Sequence, residues 1–129
     1  MSISGIGIDA IKIDRFRKAV EERGEPFLKR IFTQKELEYG GTKKAYYTHM
    51  AGKFAAKEAV KKAIPEGARI GLNWKEIEIL NDCDGKPYAI LHGEAERLKK
   101  DFNLTEVLVS ISHTKDLAIA NAVGVNNGT

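Results

Sequence analysis

A run of helix formers from about Lys43 to Ile64, closed by Pro65, restricts the fold of this chain more than any other segment. Proline cannot continue a helix, so the run stops there and spans roughly 33 Å at 1.5 Å per residue. Residues four apart share a helix face. Ala51, Ala55, Ala59 and Ala63 therefore form a smooth stripe suited to close packing. His49, Lys53, Lys57 and Lys61 form a basic stripe on one flank, with Phe54, Glu58 and Lys62 as a third stripe beside it. A lysine stripe is ordinarily a solvated face. Glu58 four residues before Lys62 is ordinarily a surface ion pair.

Strand patterns surround that helix. Over residues 3–9, Gly5, Gly7 and Asp9 share one face and Ile6 and Ile8 the other. The isoleucines are expected to anchor this strand in the core. The glycine face leaves room for another backbone or a ligand, and Asp9 there suits either a turn cap or a ligand contact. It is not a phosphate-cradling GxGxxG loop, because the third glycine is missing and no helix begins there. A helix follows from Ile13 or Asp14 to Arg23, stopped by Gly24. Pro26 opens a short helical piece through Phe32, and Thr33 to Glu36 fits a capping box whose helix ends at Gly40-Gly41. Residues 76–91 read as a hairpin turning at Asp84-Gly85, and 93–102 as a further helix. Two closely linked strands, 106–112 and 117–125, complete the pattern and are expected to pair antiparallel. In the first of them Val107, Val109 and Ile111 oppose Ser110 and Ser112, and the strand ends at His113-Thr114-Lys115. In the second, Ala118, Ala120, Ala122 and Gly124 make a small-residue face that suits close packing on the long helix or on another subunit. The expected fold is a single α+β domain over 1–129, a mostly antiparallel sheet packed on one long central helix with shorter helices around it.

Composition narrows the chemistry. With 43% apolar and 30% charged residues, the 129-residue chain is an ordinary soluble globular domain. Its net charge of +3 permits an anionic partner without demanding one. The one cysteine, Cys83, excludes an intramolecular disulfide and any multi-cysteine metal site. His49, His92 and His113 lack metal-ligand spacing, and no serine sits in a GxSxG elbow. The basic residues are scattered among acids, without the aromatic interleaving of a nucleic-acid surface. No apolar run approaches the ~18 residues of a membrane span, and the N-terminus carries no targeting pattern. The expected location is the cytoplasm. What remains is Asp9 and Glu58, two carboxylates beside small residues that can hold a hard cation, and His113, which with its hydroxyl and lysine neighbours can donate to phosphate or simply form a polar strand end.

Taken in order, these segments resemble the holo-acyl-carrier-protein synthases, the small phosphopantetheinyl transferases of fatty-acid synthesis. The resemblance rests on the Gly5-Ile6-Gly7-Ile8-Asp9 strand followed by Arg15, on Phe32-Thr33-Gln34-Lys35-Glu36, on Phe54 to Ala63 (FAAKEAVKKA), on Gly85-Lys86-Pro87 and on Ser112-His113-Thr114. It covers nearly the whole chain. It implies transfer of phosphopantetheine from coenzyme A to a serine of acyl carrier protein, with Mg²⁺ held by Asp9 and Glu58 and with Glu58, directly or through a water, taking the serine proton. It further implies that Lys57, Lys62, His113, Lys53 and Phe54 bind coenzyme A, that Arg15 and Lys18 bind the acidic carrier, and that the enzyme is a homotrimer with active sites between subunits. Lys53 stands where the family pattern has arginine, which exchanges a bidentate fork for a point charge.

Rival readings come from other classes. A non-catalytic nucleotide- or nucleic-acid-binding α+β module would use the lysine stripe but leaves Asp9 and Glu58 unexplained. An oligomerisation domain would use the alanine faces but leaves the Ser112-His113-Thr114 strand end unexplained.

Overall fold

The computed structural model describes residues 1–39 and 41–127. The order of elements is β1 (Ser2–Lys12), α1 (Ile13–Arg23), α2 (Glu25–Ile31), α3 (Gln34–Leu37), α4 (Lys43–Ala63), α5 (Gly67–Ile70), a 3-10 turn at Trp74–Glu76, β2 (Ile77–Asn81), β3 (Pro87–Leu91), α6 (Gly93–Asp101), β4 (Leu104–His113) and β5 (Leu117–Asn126). Local signals set most of these boundaries. Gly24 takes φ 67° where α1 stops, and its amide donates to the Val20 carbonyl. The Thr33 capping box is complete in both directions. Ile64 leaves the helical region just before Pro65. Helix α3 ends at Leu37, short of the glycine pair expected to stop it; Gly40 lies outside the described residues.

Two antiparallel sheets carry the α+β architecture. The larger has strand order β1-β5-β4, and the smaller is the β2–β3 hairpin. Helix α4 crosses the larger sheet, and its alanine stripe is fully buried there, with Ala55, Ala59 and Ala63 at 0% exposure. Ala118, Ala120 and Ala122 of β5 face it, so their small side chains pack on the long helix.

One expectation fails at this crossing. Ile6 and Ile8 do not anchor β1 in the core; they are 65% and 63% exposed on the far side of the sheet. The inward face is the glycine face. A Cβ on Gly7 would lie 1.8 Å from the Ala59 carbonyl oxygen, and one on Gly5 would lie 2.1 Å from that of Ala63. Backbone meets backbone here, and no side chain larger than hydrogen fits between. Ile3 and Leu108 join the isoleucines on the outer face. In register, Ile6 and Leu108 both flank Val123.

Candidate functional site

Strand β1 delivers Asp9 to the C-terminal half of α4. Gly5, Gly7 and Asp9 point toward the helix, so the first side chain to emerge past the close crossing is the Asp9 carboxylate. It meets Lys62, whose Nζ lies 3.5 Å from Asp9 Oδ1 and donates to the Ile8 carbonyl at 2.9 Å. Glu58 stands one helical turn before Lys62, where helix geometry brings side chains within about 5–6 Å of one another at Cβ. Asp9 and Glu58, far apart in sequence, thus reach the same stretch of α4, Asp9 in contact with Lys62 and Glu58 one turn before it. Glu58 itself makes a contact absent from any sequence pattern: Glu58 Oε1 accepts a hydrogen bond from the Trp74 indole nitrogen. Trp74 packs edge-on against Phe54 with ring centroids 5.6 Å apart, and Phe54 in turn leans on Phe16 at 6.0 Å.

The donor set at this meeting point suits a hard cation. Carboxylate oxygens are Mg²⁺ ligands, and Mg²⁺ accepts a site with only one or two of them when substrate phosphates complete it. Among the described residues, no group of three His, Cys, Asp or Glu side chains could hold a metal alone. Two carboxylates therefore fit a metal that arrives with an oxygen-rich substrate better than a permanently caged one.

A second feature lies at the other end of α4. A cleft of about 890 Å³ opens between the start of that helix, the β2–β3 turn and the β4–β5 turn, lined among others by His49, Lys53, Gly85, Pro87, His113 and Thr114. The structure thus places Lys53 and His113 on the wall of one cleft. Asp9, Glu58 and Lys62 do not line this cleft. Lys53 and Lys62 are separated by about 13 Å of helix. Within one chain the two halves of the expected site stand apart.

Burial sets the electrostatics of the cleft. Lys53 is only 5% exposed, and burial lowers its pKa, while Glu36 and then Glu78 oppose that shift. His49 stacks on Tyr39 with ring centroids 3.9 Å apart. Burial first, and then the Lys53 charge, push the imidazole down from 6.5 to about 4. The unfolded chain therefore binds this proton more readily than the native one, so stability is lost as pH falls from about 6.5 toward about 4. His49→Gln is expected to flatten that decline, as read from melting temperatures of both proteins at about pH 7 and about pH 4.5. Equal declines would show that His49 does not carry it.

Lys57 requires a correction. It was expected among the coenzyme A ligands, on a solvated stripe, yet its side chain is 0% exposed. All three ammonium protons are taken: Glu36 Oε1 accepts at 2.7 Å, the Ile77 carbonyl at 2.6 Å and the Trp74 carbonyl at 3.0 Å. Burial lowers the Lys57 pKa, and Glu36 offsets part of that shift. Glu36 is itself fully engaged, accepting from the Thr33 amide and the Ile79 amide, each at 2.8 Å. This knot ties α3, α4 and β2 together beneath the site. Next to it, burial pushes Glu78 up, but hydrogen bonds from Thr33 and His92, with the charges of His92 and Lys35, outweigh it and hold the carboxyl below its ordinary value. Glu36→Ala is expected to cost about 3–5 kcal/mol, because it strands a buried ammonium and two amides. Urea denaturation measures this; a loss under about 1 kcal/mol would mean water replaces the carboxylate. The capping-box pattern pointed to Glu36, but only as a partner of Thr33.

Arg15 and Lys18 are both exposed on α1. Asp14, beside Arg15 in the sequence, is bound to Arg17 at 2.6 Å.

Known proteins resemble this chain over nearly its whole length. A family model of the 4'-phosphopantetheinyl transferase superfamily matches residues 5–122. A holo-[acyl-carrier-protein] synthase of Alkaliphilus oremlandii is 44% identical over 95% of this chain and 99% of its own. One of Geotalea daltonii is 42% identical over 94% and 97%. The crystal structure of the Helicobacter pylori holo-[acyl-carrier-protein] synthase in complex with coenzyme A superposes with a TM-score of 0.79 at 32% identity, covering 93% of this chain and 99% of that one. A full-length match at this identity, on the same fold, leaves one assignment: the chain belongs to the 4'-phosphopantetheinyl transferase superfamily, within its holo-[acyl-carrier-protein] synthases.

Proposed function

We propose that this chain transfers the 4'-phosphopantetheine group of coenzyme A to a serine of apo acyl carrier protein, in the cytoplasm, with Mg²⁺, in support of fatty-acid synthesis. The observation that supports the reading is the convergence of β1 on the C-terminal half of α4, where Asp9 meets Lys62 one helical turn after Glu58. The coenzyme A complex of the Helicobacter pylori relative supports the donor, and the names of the curated relatives support the acceptor.

In the reaction the serine oxygen bonds to the phosphorus bearing the pantetheine arm. The bond from that phosphorus to the bridging oxygen breaks, and the oxygen leaves with adenosine 3',5'-bisphosphate. Glu58, with one carboxylate oxygen held by Trp74, offers the other to the serine proton, directly or through a water. Asp9 and Glu58 would together hold Mg²⁺, which when bound neutralises diphosphate charge as the transfer proceeds. Lys62 brings a further positive charge to the same place. Lys53 and His113 sit in the cleft and would grip the phosphates of coenzyme A. Phe54 supports Trp74 from the side, and its contribution to donor binding runs through that packing. Arg15 and Lys18, exposed on α1, offer positive charge to an acidic carrier.

The separation of cleft and carboxylates within one chain favours an active site completed between subunits. The outer sheet face supplies the surface for it: Ile3, Ile6, Ile8 and Leu108 are between 52% and 65% exposed, an apolar patch of the kind that marks an interface. We read the assembly as a homotrimer in which one chain's cleft faces the next chain's Asp9 and Glu58.

Incubating the protein with coenzyme A, MgCl₂ and apo acyl carrier protein tests the reading by the mass of the carrier. The expected product is a carrier heavier by one phosphopantetheine group; an unmodified carrier in the presence of folded protein overturns the proposal. In the same assay His113→Ala is expected to raise the Michaelis constant for coenzyme A more than it lowers turnover, because it removes a donor contact and no proton acceptor. A collapsed turnover with an unchanged constant would place His113 in the chemical step.

A further inference from the structure

We infer that Trp74 is a positioning residue for Glu58: its indole N–H fixes one carboxylate oxygen, so that the other faces the metal and the carrier serine. The inference deepens the reading above and rests on it. Three observations carry it. The indole nitrogen donates to Glu58 Oε1, and an indole can only donate, so the bond favours a carboxylate held in one orientation. Trp74 itself is pinned. Its carbonyl accepts from Lys57 Nζ at 3.0 Å, its ring lies edge-on to Phe54, and the turn it opens is closed by the Asn73–Glu76 capping box. The third is connectivity. Lys57 precedes Glu58 in α4 and its ammonium holds the Trp74 backbone, so the buried Lys57–Glu36 pair anchors both the carboxylate and the group that orients it.

A glutamate on an exposed helix flank ordinarily samples several rotamers, and a metal or a proton acceptor gains from having one of them selected in advance. Outer-shell hydrogen bonds to metal-ligating carboxylates act in this way, and their loss typically costs about 10- to 100-fold in metal affinity or activity. Trp74 occupies that place here. The i, i+4 spacing suggests a Glu58–Lys62 pair, but the Glu58 carboxylate is held by the Trp74 N–H instead. Lys62 is left to the Ile8 carbonyl and Asp9.

Trp74→Phe keeps the ring that packs on Phe54 and removes only the N–H. It is expected to raise the MgCl₂ concentration for half-maximal transfer by about 10-fold or more, and to lower kcat, with the Michaelis constant for coenzyme A within about 2-fold of wild type. A purely structural tryptophan would lower the melting temperature without producing that split. Trp74 is also the single tryptophan of the chain, so tryptophan emission reports the surroundings of this one indole. In the ligand-free protein, Glu58→Ala should shift the Trp74 emission relative to wild type, because the indole N–H loses its acceptor to water. An unchanged emission in Glu58→Ala overturns the inference, and so does a Trp74→Phe enzyme with wild-type kcat and MgCl₂ dependence. Should Trp74→Phe unfold, the emission comparison still decides. Wild-type protein that fails to modify the carrier at all would defeat the transferase reading, while the emission comparison judges the Trp74–Glu58 contact separately.

Discussion

Asp9→Ala and Glu58→Ala should each nearly abolish carrier modification while leaving a folded protein. Neither carboxylate supports the core. Asp9 touches the half-exposed Lys62, and Glu58 touches the edge of Trp74. Their removal costs little beside the effect on rate. A half-exposed ion pair such as Asp9–Lys62 contributes about 0–1 kcal/mol, and a hydrogen bond to a charged group such as Trp74–Glu58 about 1.5–3 kcal/mol. The effect on rate is of another order. Neutralising a diphosphate during transfer is worth several kcal/mol. At about 1.4 kcal/mol per tenfold, a loss of about 3–4 kcal/mol slows transfer by roughly 10²–10³-fold. The two effects are not expected to add, because the proposed cation site needs both carboxylates. Asp9→Asn and Glu58→Gln separate charge from shape, since both keep the volume and lose the anion. Carrier mass against time, with melting temperature as a control, measures all four. Retention of more than about a tenth of the wild-type rate in Asp9→Asn would remove Asp9 from the metal site.

Much of this fold was legible in the sequence, and what was not has identifiable causes. Gly24, the Thr33–Glu36 box, Pro65 and Asp84-Gly85 are local signals, and each sets an element boundary through contacts within a few residues. The ordered motifs then pointed to the family. The inward face of β1 was read the wrong way round because alternation identifies two faces without saying which is buried. Apolar content usually decides, and here it misleads: the helix crosses so closely that the glycines are inside, which leaves Ile6 and Ile8 outside. Lys57 was misread for a different reason. Its i, i+4 neighbours are basic, so the stripe looks solvated, but its partner Glu36 is brought in by tertiary packing from 21 residues earlier in the chain. Trp74 gave no signal at all, since a single hydrogen bond between a turn and a helix has no periodicity to detect.

Gly7→Ala should be the most damaging substitution of a single hydrogen by a methyl in this protein. The added Cβ would lie 1.8 Å from the Ala59 carbonyl oxygen and 2.8 Å from its carbon, and both belong to the helix backbone. A side chain could rotate away; a hydrogen-bonded helix must move as a body. Overpacking against side chains costs about 1–3 kcal/mol, and a backbone obstacle belongs at or above the top of that range. Three other glycines calibrate the expectation. A Cβ on Gly52 would meet only the Ile111 methyl at 2.9 Å, so Gly52→Ala should cost less. Gly85 opens onto free space but holds φ 83°, so its alanine variant should cost about 1–2 kcal/mol from backbone strain alone. Gly5, at 2.1 Å from the Ala63 carbonyl oxygen, should follow Gly7 closely. The expected order of melting temperatures is therefore Gly85→Ala and Gly52→Ala above Gly5→Ala and Gly7→Ala, with Gly7→Ala about 10 °C or more below wild type. Activity should fall further than stability in Gly7→Ala. Asp9 lies two residues along the same face, so pushing β1 off α4 also draws one carboxylate away from Lys62 and Glu58. A Gly7→Ala protein that melts within a few degrees of wild type would mean that the strand and helix do not meet through their backbones.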